Sequence, residues 1–196
     1  MIAVVDYRAG NLTSVMKALD HVGANAIVSD DPGLVAKADK IILPGVGHFS
    51  GTTTLERAGL RAAIQDAVKR GAPFLGICVG MQWMFESSEE APAVPGLGWF
   101  PGECGRFRRD FKSPHVGWNS LICDGRSRLL RGIASGSFVY FTHSYRAPLV
   151  SATVARCEYG GEFSAAVERD HLFGVQFHPE KSGAVGMKIL ESFCGL

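Results

Sequence analysis

The stretch Pro73-Phe74-Leu75-Gly76-Ile77-Cys78-Val79-Gly80-Met81-Gln82 reads as a short apolar strand, a tight turn and the first residues of a helix. Cys78 stands at the turn, with Gly76 and Gly80 two residues away on either side. A nucleophile on a sharp strand-to-helix turn needs small neighbours, because the backbone doubles back there, as in the elbows of serine hydrolases. The turn would also set the sulfur at the free N–H groups of a helix running through Trp83 and Phe85, where the thiolate is favoured. Taken alone, Cys78 reads as well or better as a buried core residue, since free cysteine is among the most buried residue types. The flanking glycines balance the two readings, and residues farther along the chain decide between them.

Working outward, the first half alternates strands and helices. Ile2 to Val5 is a short apolar run ending at Asp6, and Tyr7 to Asn11 is a loop. Leu12, Val15, Met16, Leu19 and Val22 form one apolar stripe at helical spacing, stopped by Gly23. Asn25 to Val28 is a second strand, and Asp30-Asp31-Pro32-Gly33 is turn chemistry. Ile41-Ile42-Leu43 is a third strand, which Pro44 breaks on the way into Gly45-Val46-Gly47-His48-Phe49. A dinucleotide loop is a poor reading there, because Ser50 holds the third glycine position and the loop follows the third strand. The stretch is either a plain surface turn or a loop presenting backbone N–H groups to a ligand. A helix is predicted from about Leu55 to Arg70, with Leu60, Ile64, Ala67 and Val68 on one face. This order predicts an α/β fold, a mostly parallel, doubly wound sheet with helices on both faces. Ligands bind beyond the carboxyl ends of such strands, which is where the Gly45 loop and Cys78 would lie.

After Cys78 the pattern changes. Ser87 to Gly102 is a Pro/Gly-rich loop with an acidic pair, Glu89 and Glu90. Short β-type runs follow at 105–108, 116–122, 137–141, 152–157, 163–168 and 172–177, and a helix at about 184–193 closes the chain. The runs predict antiparallel or mixed strands that extend the first sheet. No linker or repeat divides the 196 residues, so residues 1–196 are read as one domain.

Composition narrows the function. A net charge of +1 gives no reason to expect nucleic acid or an anionic membrane. No apolar run approaches the roughly 20 residues of a membrane span. Met1 to Asp6 enters a strand pattern at once and lacks a basic leader. The five cysteines are odd in number, widely spread and without a C-x-x-C pair, which fits a reducing cytoplasm better than a disulfide framework or a zinc site.

Cys78 needs a base, and His178 stands out among six histidines. Gly174-Val175-Gln176-Phe177-His178-Pro179-Glu180 is a strand ending at a histidine, followed by a restricted turn and a carboxylate. A base oriented by a carboxylate is what nucleophilic catalysis by cysteine requires. His178 alone would read as a strand-end histidine; with the elbow it reads as catalytic. A metal site from His115, His143 and His178 fits no ligand spacing.

The elbow together with Phe177-His178-Pro179-Glu180 resembles the triad (class I) glutamine amidotransferase family, a single flavodoxin-like domain. Further stretches are similar to one branch of it, the glutaminase subunits of imidazole glycerol phosphate synthases of histidine biosynthesis. These are Asp6-Tyr7-Arg8-Ala9-Gly10-Asn11-Leu12, Pro44 to Phe49, Lys112 to Asn119, His143-Ser144-Tyr145, Tyr159 to Phe163 and Pro179 to Ser182. The resemblance spans nearly the whole chain. Arg8 stands where glycine is common in that branch, and Val79 and Val116 where Leu and Met are usual.

The resemblance implies hydrolysis of glutamine by Cys78, His178 and Glu180, without cofactor or metal. It implies an oxyanion hole from the Val79 N–H and the Gly45-Val46-Gly47 loop. Gln82 and Ser144-Tyr145 match positions holding the substrate's α-amino and carboxylate ends. It also implies a partner, a (β/α)8-barrel cyclase subunit that receives the ammonia, with Asn11, Trp118, Tyr140 and Lys181 at the interface. The isolated chain is expected to be nearly inactive, its Gly45-Val46-Gly47 loop turning a carbonyl, not an N–H, to the oxyanion position until the partner biases it. Trp118 by itself reads equally as a core aromatic or an exposed anchor, and Lys181 as a solvated lysine. Competing readings are the glutaminase of pyridoxal phosphate synthesis, a stand-alone cysteine hydrolase and a non-catalytic scaffold.

Overall fold

The apolar runs of the first, third and fourth strands lie in the interior, while the second strand sits at the sheet edge with Val28 exposed. The computed structural model describes residues 1–108 and 110–196. In chain order it has β1 (Ile2–Val5), α1 (Leu12–His21), β2 (Ala26–Ser29), α2 (Pro32–Lys37), β3 (Lys40–Gly45), a 3-10 turn at Phe49–Thr52, α3 (Thr53–Arg57), α4 (Leu60–Lys69), β4 (Phe74–Cys78) and α5 (Val79–Gln82). The second half has β5 (Ser87–Ser88), β6 (Glu103–Arg106), β7 (His115–Ser120), β8 (Ile122–Cys123), β9 (Phe138–His143), β10 (Tyr145–Arg146), β11 (Thr153–Glu158), β12 (Glu162–Arg169), β13 (Leu172–Val175), a 3-10 turn at Pro179–Lys181 and α6 (Gly183–Cys194).

The main sheet runs β2-β1-β3-β4-β13-β12-β11-β8. Strands β2, β1, β3, β4 and β13 are mutually parallel, and β12, β11 and β8 continue the sheet antiparallel. The parallel order steps one way from β1 to β2 and the other way from β2 through β3 to β4. Right-handed crossovers therefore put α1 on one face and α2 and α4 on the other. The helices bury their apolar stripes accordingly: Val15, Ala18 and Leu19 on α1, and Leu60, Ala63, Ile64, Ala67 and Val68 on α4.

Several expectations need correction. The helix foreseen over 55–70 is two helices, because Gly59 takes a left-handed conformation (φ 72°) between α3 and α4. Asp30 to Gly33 is not only a turn. Asp31 accepts a hydrogen bond from the Gly33 N–H at 2.8 Å and caps α2, with Pro32 in its first turn. Pro44 does not break β3. Pairing with β1 ends at Ile42, so at Pro44 the strand has a neighbour on one side only and a missing N–H is tolerated. The helix after Cys78 is a single turn. The carbonyls of Trp83, Met84, Phe85 and Glu86 are taken by the amides of residues 96 to 100, not by the next helical turn.

In the second half, β8, β11, β12 and β13 extend the sheet as foreseen, but the other strands do not. β7 and β9 form their own two-stranded ribbon, and β10-β6-β5 a small third sheet. The ribbon pairs Val116 with Thr142, Trp118 with Tyr140 and Ser120 with Phe138, alternating with His115–His143, Gly117–Phe141 and Asn119–Val139. His115, Val139, Phe141 and His143 are buried, whereas Val116, Trp118 and Phe138 are more than half exposed.

Candidate active site

The parallel register gathers the site at the carboxyl ends of three adjacent strands. Gly45 of β3 lies opposite Cys78 of β4, and Val175 of β13 lies opposite Ile77. Gln176, one residue on, is thus level with Cys78, and His178 follows after Phe177.

Cys78 adopts φ 54° and ψ −110°, in the left-handed half of conformational space that disfavours side chains. The glycines make that turn possible. A Cβ on Gly76 would sit 2.5 Å from the Gly80 carbonyl oxygen, and one on Gly80 would sit 2.1 Å from the Leu43 carbonyl oxygen. Gly45 serves the same packing: its Cβ would meet the Gly80 nitrogen at 2.6 Å and the Tyr7 hydroxyl at 2.9 Å. Because the helix that follows has one turn, its dipole is a small contribution; side chains supply most of the sulfur's surroundings. The Gln176 amide donates to Sγ at 3.6 Å, and Sγ lies 3.9 Å from the Thr142 carbonyl oxygen.

His178 is 1 % exposed. Its Nδ1 meets Glu180 Oε1 at 2.8 Å, which leaves Nε2 as the nitrogen for the sulfur. Nε2 and Glu180 Oε2 are buried with no hydrogen-bond partner among the described residues. Burial pulls the imidazole's pKa down, but contacts with the Cys78 sulfur and with Glu180 outweigh it and push it up to about 10. Both contacts favour the imidazolium form of the ring. Main-chain bonds fix the turn: the His178 N–H donates to the Tyr140 carbonyl at 2.9 Å, and the Ser182 hydroxyl donates to the His178 carbonyl at 2.6 Å. The Tyr140 N–H donates to the same hydroxyl oxygen at 3.0 Å. Tyr7 is also buried beside the elbow; burial, and then the nearby Cys78 sulfur, push its phenol up.

A cavity of about 240 Å³ opens onto Cys78. Val46, Gly47, Val79, Gln82, Ser144 and Tyr145 line it, as the sequence led us to expect. Gly45 does not; it is packed beneath the elbow. Gln82 is buried, and its Nε2 donates to the Tyr145 carbonyl at 2.8 Å and to Gln176 Oε1 at 3.0 Å. Besides Pro114, which also lines the cavity, sequence reasoning missed four polar groups here. Glu90 lines the cavity and accepts the Phe49 N–H at 2.8 Å, Thr142 and His143 line it from the ribbon, and Gln176 lies behind the sulfur. An acidic pair in a loop carries no positional signal, so Glu90 could be placed only by the fold. His143 Nδ1 lies 2.8 Å from the Tyr145 carbonyl, and its Nε2 lies 3.0 Å from His115 Nδ1. Burial lowers both rings, to about 3 and about 4, so they are neutral members of a hydrogen-bonded chain.

Of the expected interface residues, Trp118, Tyr140 and Lys181 come together. The two rings meet edge-on at 6.1 Å, and the Lys181 ammonium lies 5.8 Å from the Tyr140 ring centre. Val116 and Phe138 extend this exposed apolar face and were not singled out in the sequence. Asn11 has a local task as well, accepting the Ser14 N–H at 3.4 Å as the cap of α1. Among the described residues no group of three or more His, Cys, Asp or Glu side chains could hold a metal ion. None of their helices is long and apolar enough to cross a membrane.

A buried histidine–carboxylate pair behind a cysteine on a strained elbow, at the edge of a parallel sheet, defines a class of protein that the comparisons identify. The glutamine amidotransferase class-I family matches residues 3–195, and the chain belongs to that family. Within it, the chain is similar to proteins described as imidazole glycerol phosphate synthase subunit HisH. It is 46% identical to the one from Moorella thermoacetica, over 98% of this chain and 93% of the relative. It is 45% identical to the one from Methanothermobacter thermautotrophicus, over 98% and 97%. Among solved structures, a glutamine amidotransferase superimposes with a TM-score of 0.78 at 17% identity over 100% of both chains. PurLQS from Thermotoga maritima gives 0.73 at 22% identity, over 99% of this chain and 97% of that one. These two show the same fold.

Proposed function

We propose that the chain works as the glutaminase subunit of an imidazole glycerol phosphate synthase, in histidine biosynthesis. The observation that carries the chemistry is the Cys78 elbow with the His178–Glu180 pair behind it. The Cys78 thiolate attacks the side-chain amide carbon of glutamine. The carbonyl oxygen becomes an oxyanion held by the Val79 N–H and by an N–H of the Gly45-Val46-Gly47 loop; losing one such donor costs about 2 to 4 kcal/mol of barrier. His178, as imidazolium, protonates the departing nitrogen, and ammonia leaves. Water then attacks the glutamyl thioester with His178 as base, and the intermediate expels the Cys78 sulfur, releasing glutamate and restoring the thiolate–imidazolium pair. Glu180 holds the imidazole and balances its charge. At the far end of the cavity, the Glu90 carboxylate is the complement to the substrate's α-ammonium. Ser144 and Tyr145 face its carboxylate. Because Gln82 spends its N–H groups on Tyr145 and Gln176, its carbonyl oxygen is what remains for the substrate.

Ammonia let into water would be protonated and lost, so the product needs a receiving subunit. The outer face of the β7–β9 ribbon, with Trp118, Tyr140, Val116 and Phe138 beside Lys181, supports docking there. Large aromatics flanked by a cation are common anchors of interfaces. The partner is a (β/α)8-barrel cyclase subunit, and Asn11 at the start of α1 belongs to the same interface.

The test is glutamate release by the chain alone, with the cyclase, and with the cyclase and its phosphoribulosyl aminoimidazole-carboxamide nucleotide. The reading expects near silence alone, strong activation in the full mixture, and loss on Cys78→Ala. Robust activity alone, unchanged by the cyclase, would remove the assignment to this synthase.

A further inference from the structure

We propose that Gln176 is a catalytic residue that stabilises the Cys78 thiolate through a side-chain N–H. The inference rests on Cys78 being the nucleophile. Parallel pairing of β13 with β4 brings Gln176 level with Cys78, and the Gln176 N–H is anchored on the Ala165 carbonyl at 2.9 Å. The side chain is fully buried. Its amide has two ends, and the network decides which one the sulfur meets. The Tyr145 carbonyl can only accept, so Gln82 must turn Nε2 toward it, at 2.8 Å. The same Nε2 lies 3.0 Å from the Gln176 side chain and needs an acceptor there. Gln176 therefore gives Oε1 to Gln82 and is left with Nε2 facing Sγ, at 3.6 Å. The flipped amide would set donor against donor at Gln82 and a carbonyl oxygen against the sulfur.

A donor at this place acts on the charged form. Hydrogen bonds to an ionised acceptor are stronger than those to a neutral one. No proton is transferred: the N–H stays on the amide while the sulfur's charge forms and is consumed in the attack. The titratable groups that bear on Cys78, His178 and Tyr7, do not hydrogen-bond Gln176, so its effect is separable from theirs. One backbone carbonyl at the cavity wall sets Gln82, Gln82 sets Gln176, and Gln176 sets the donor at the sulfur.

The test compares Gln176→Met, which keeps size and removes the donor, with the unsubstituted chain. Alkylation of Cys78 by iodoacetamide is followed across pH by mass spectrometry of its peptide, so that the other four cysteines do not interfere. Glutamate release is measured with the cyclase present. The midpoint of alkylation should move up by about one pH unit, as expected for loss of one bond to a charged acceptor. In the same variant kcat should fall about tenfold while KM stays within about threefold, because the bond acts on chemistry more than on substrate binding. An unchanged midpoint and kcat in a folded Gln176→Met protein would overturn the proposal. If the variant does not fold, the unsubstituted chain gives the answer. It has only three glutamines, at 65, 82 and 176, so their side-chain amides are resolvable by NMR. The Gln176 pair should shift with the midpoint of Cys78 alkylation, and a pair that stays still refutes the bond. Cys78→Ala separates the two levels: an active Cys78→Ala protein defeats the nucleophile itself, whereas an inactive one with indifferent Gln176→Met defeats only this inference.

Discussion

Arg8 and Cys78 both occupy backbone conformations with positive φ, 64° and 54°, and only Cys78 lines the candidate site. Arg8 is held there by its own N–H, which donates to Asp6 Oδ1 at 2.8 Å. Glycine is the residue such a conformation favours. Left-handed geometry costs a side chain about 1 to 2 kcal/mol, and glycine gives part of this back as chain entropy. Arg8→Gly should therefore raise stability by about 0.5 to 1 kcal/mol in urea unfolding. His178 yields a pH prediction. Its folded-state pKa, raised to about 10, lies above the ordinary 6.5 of an unfolded chain. Its contribution to stability is complete below about 6.5, declines as pH rises from there, and is gone above about 10. Glu180→Gln removes one of the raising contacts and should flatten that alkaline decline when unfolding is followed from pH 6.5 to 10. At this scale the sequence pointed to residues whose type carries chemistry, Cys78, His178 and Glu180, and the fold brings them together. The sequence was unreadable at Gln176 and Glu90. A buried amide acquires a role only from the strand beside it, and a loop carboxylate only from the cavity it faces.

The elbow is the element on which the site depends most. Its turn is closed by glycines against the carbonyls of neighbouring chain, so volume there has nowhere to go. Gly80→Ala would drive a methyl group to 2.1 Å from the Leu43 oxygen, displacing β3 and the Gly45 loop with it. We expect a loss of about 3 kcal/mol or more, read as a lower urea midpoint with unchanged slope. The elements also show where sequence reading stops. Apolar runs marked β1, β3, β4 and the stripe of α1 correctly, because burial repeats along the chain. Ends of helices are set by local competition instead. Gly59 divides α3 from α4, Asp31 starts α2, and residues 96 to 100 capture the carbonyls that α5 would have used. None of these partners is visible in a hydrophobic pattern. The ribbon is a similar case: its alternation was readable as strand, but not its departure from the main sheet.

At the scale of the whole molecule, the candidate site and the proposed docking face share one ribbon. Its inner side carries the His115–His143 pair toward the cavity, and its outer side carries Trp118 and Tyr140. Trp118→Ala should weaken association with the cyclase by about 2 kcal/mol or more, measured by calorimetry, while leaving the melting temperature of the chain nearly unchanged. A large drop in melting temperature would instead return Trp118 to the core. A mostly parallel, doubly wound sheet was inferable from alternation of strand and helix; the third sheet and the ribbon, made of long-range pairings, were not. One feature of the ribbon bears on descent. Tyr140 ties the His178 turn through its main-chain N–H and carbonyl, groups that all residue types except proline supply in full. Its side chain, with those of Val116, Trp118 and Phe138, is thus released from that duty. A lineage can rewrite these positions to suit a different client subunit while its triad stays in register. Such a ribbon should carry a two-residue rhythm of change across related genes, with outward positions drifting and inward ones held.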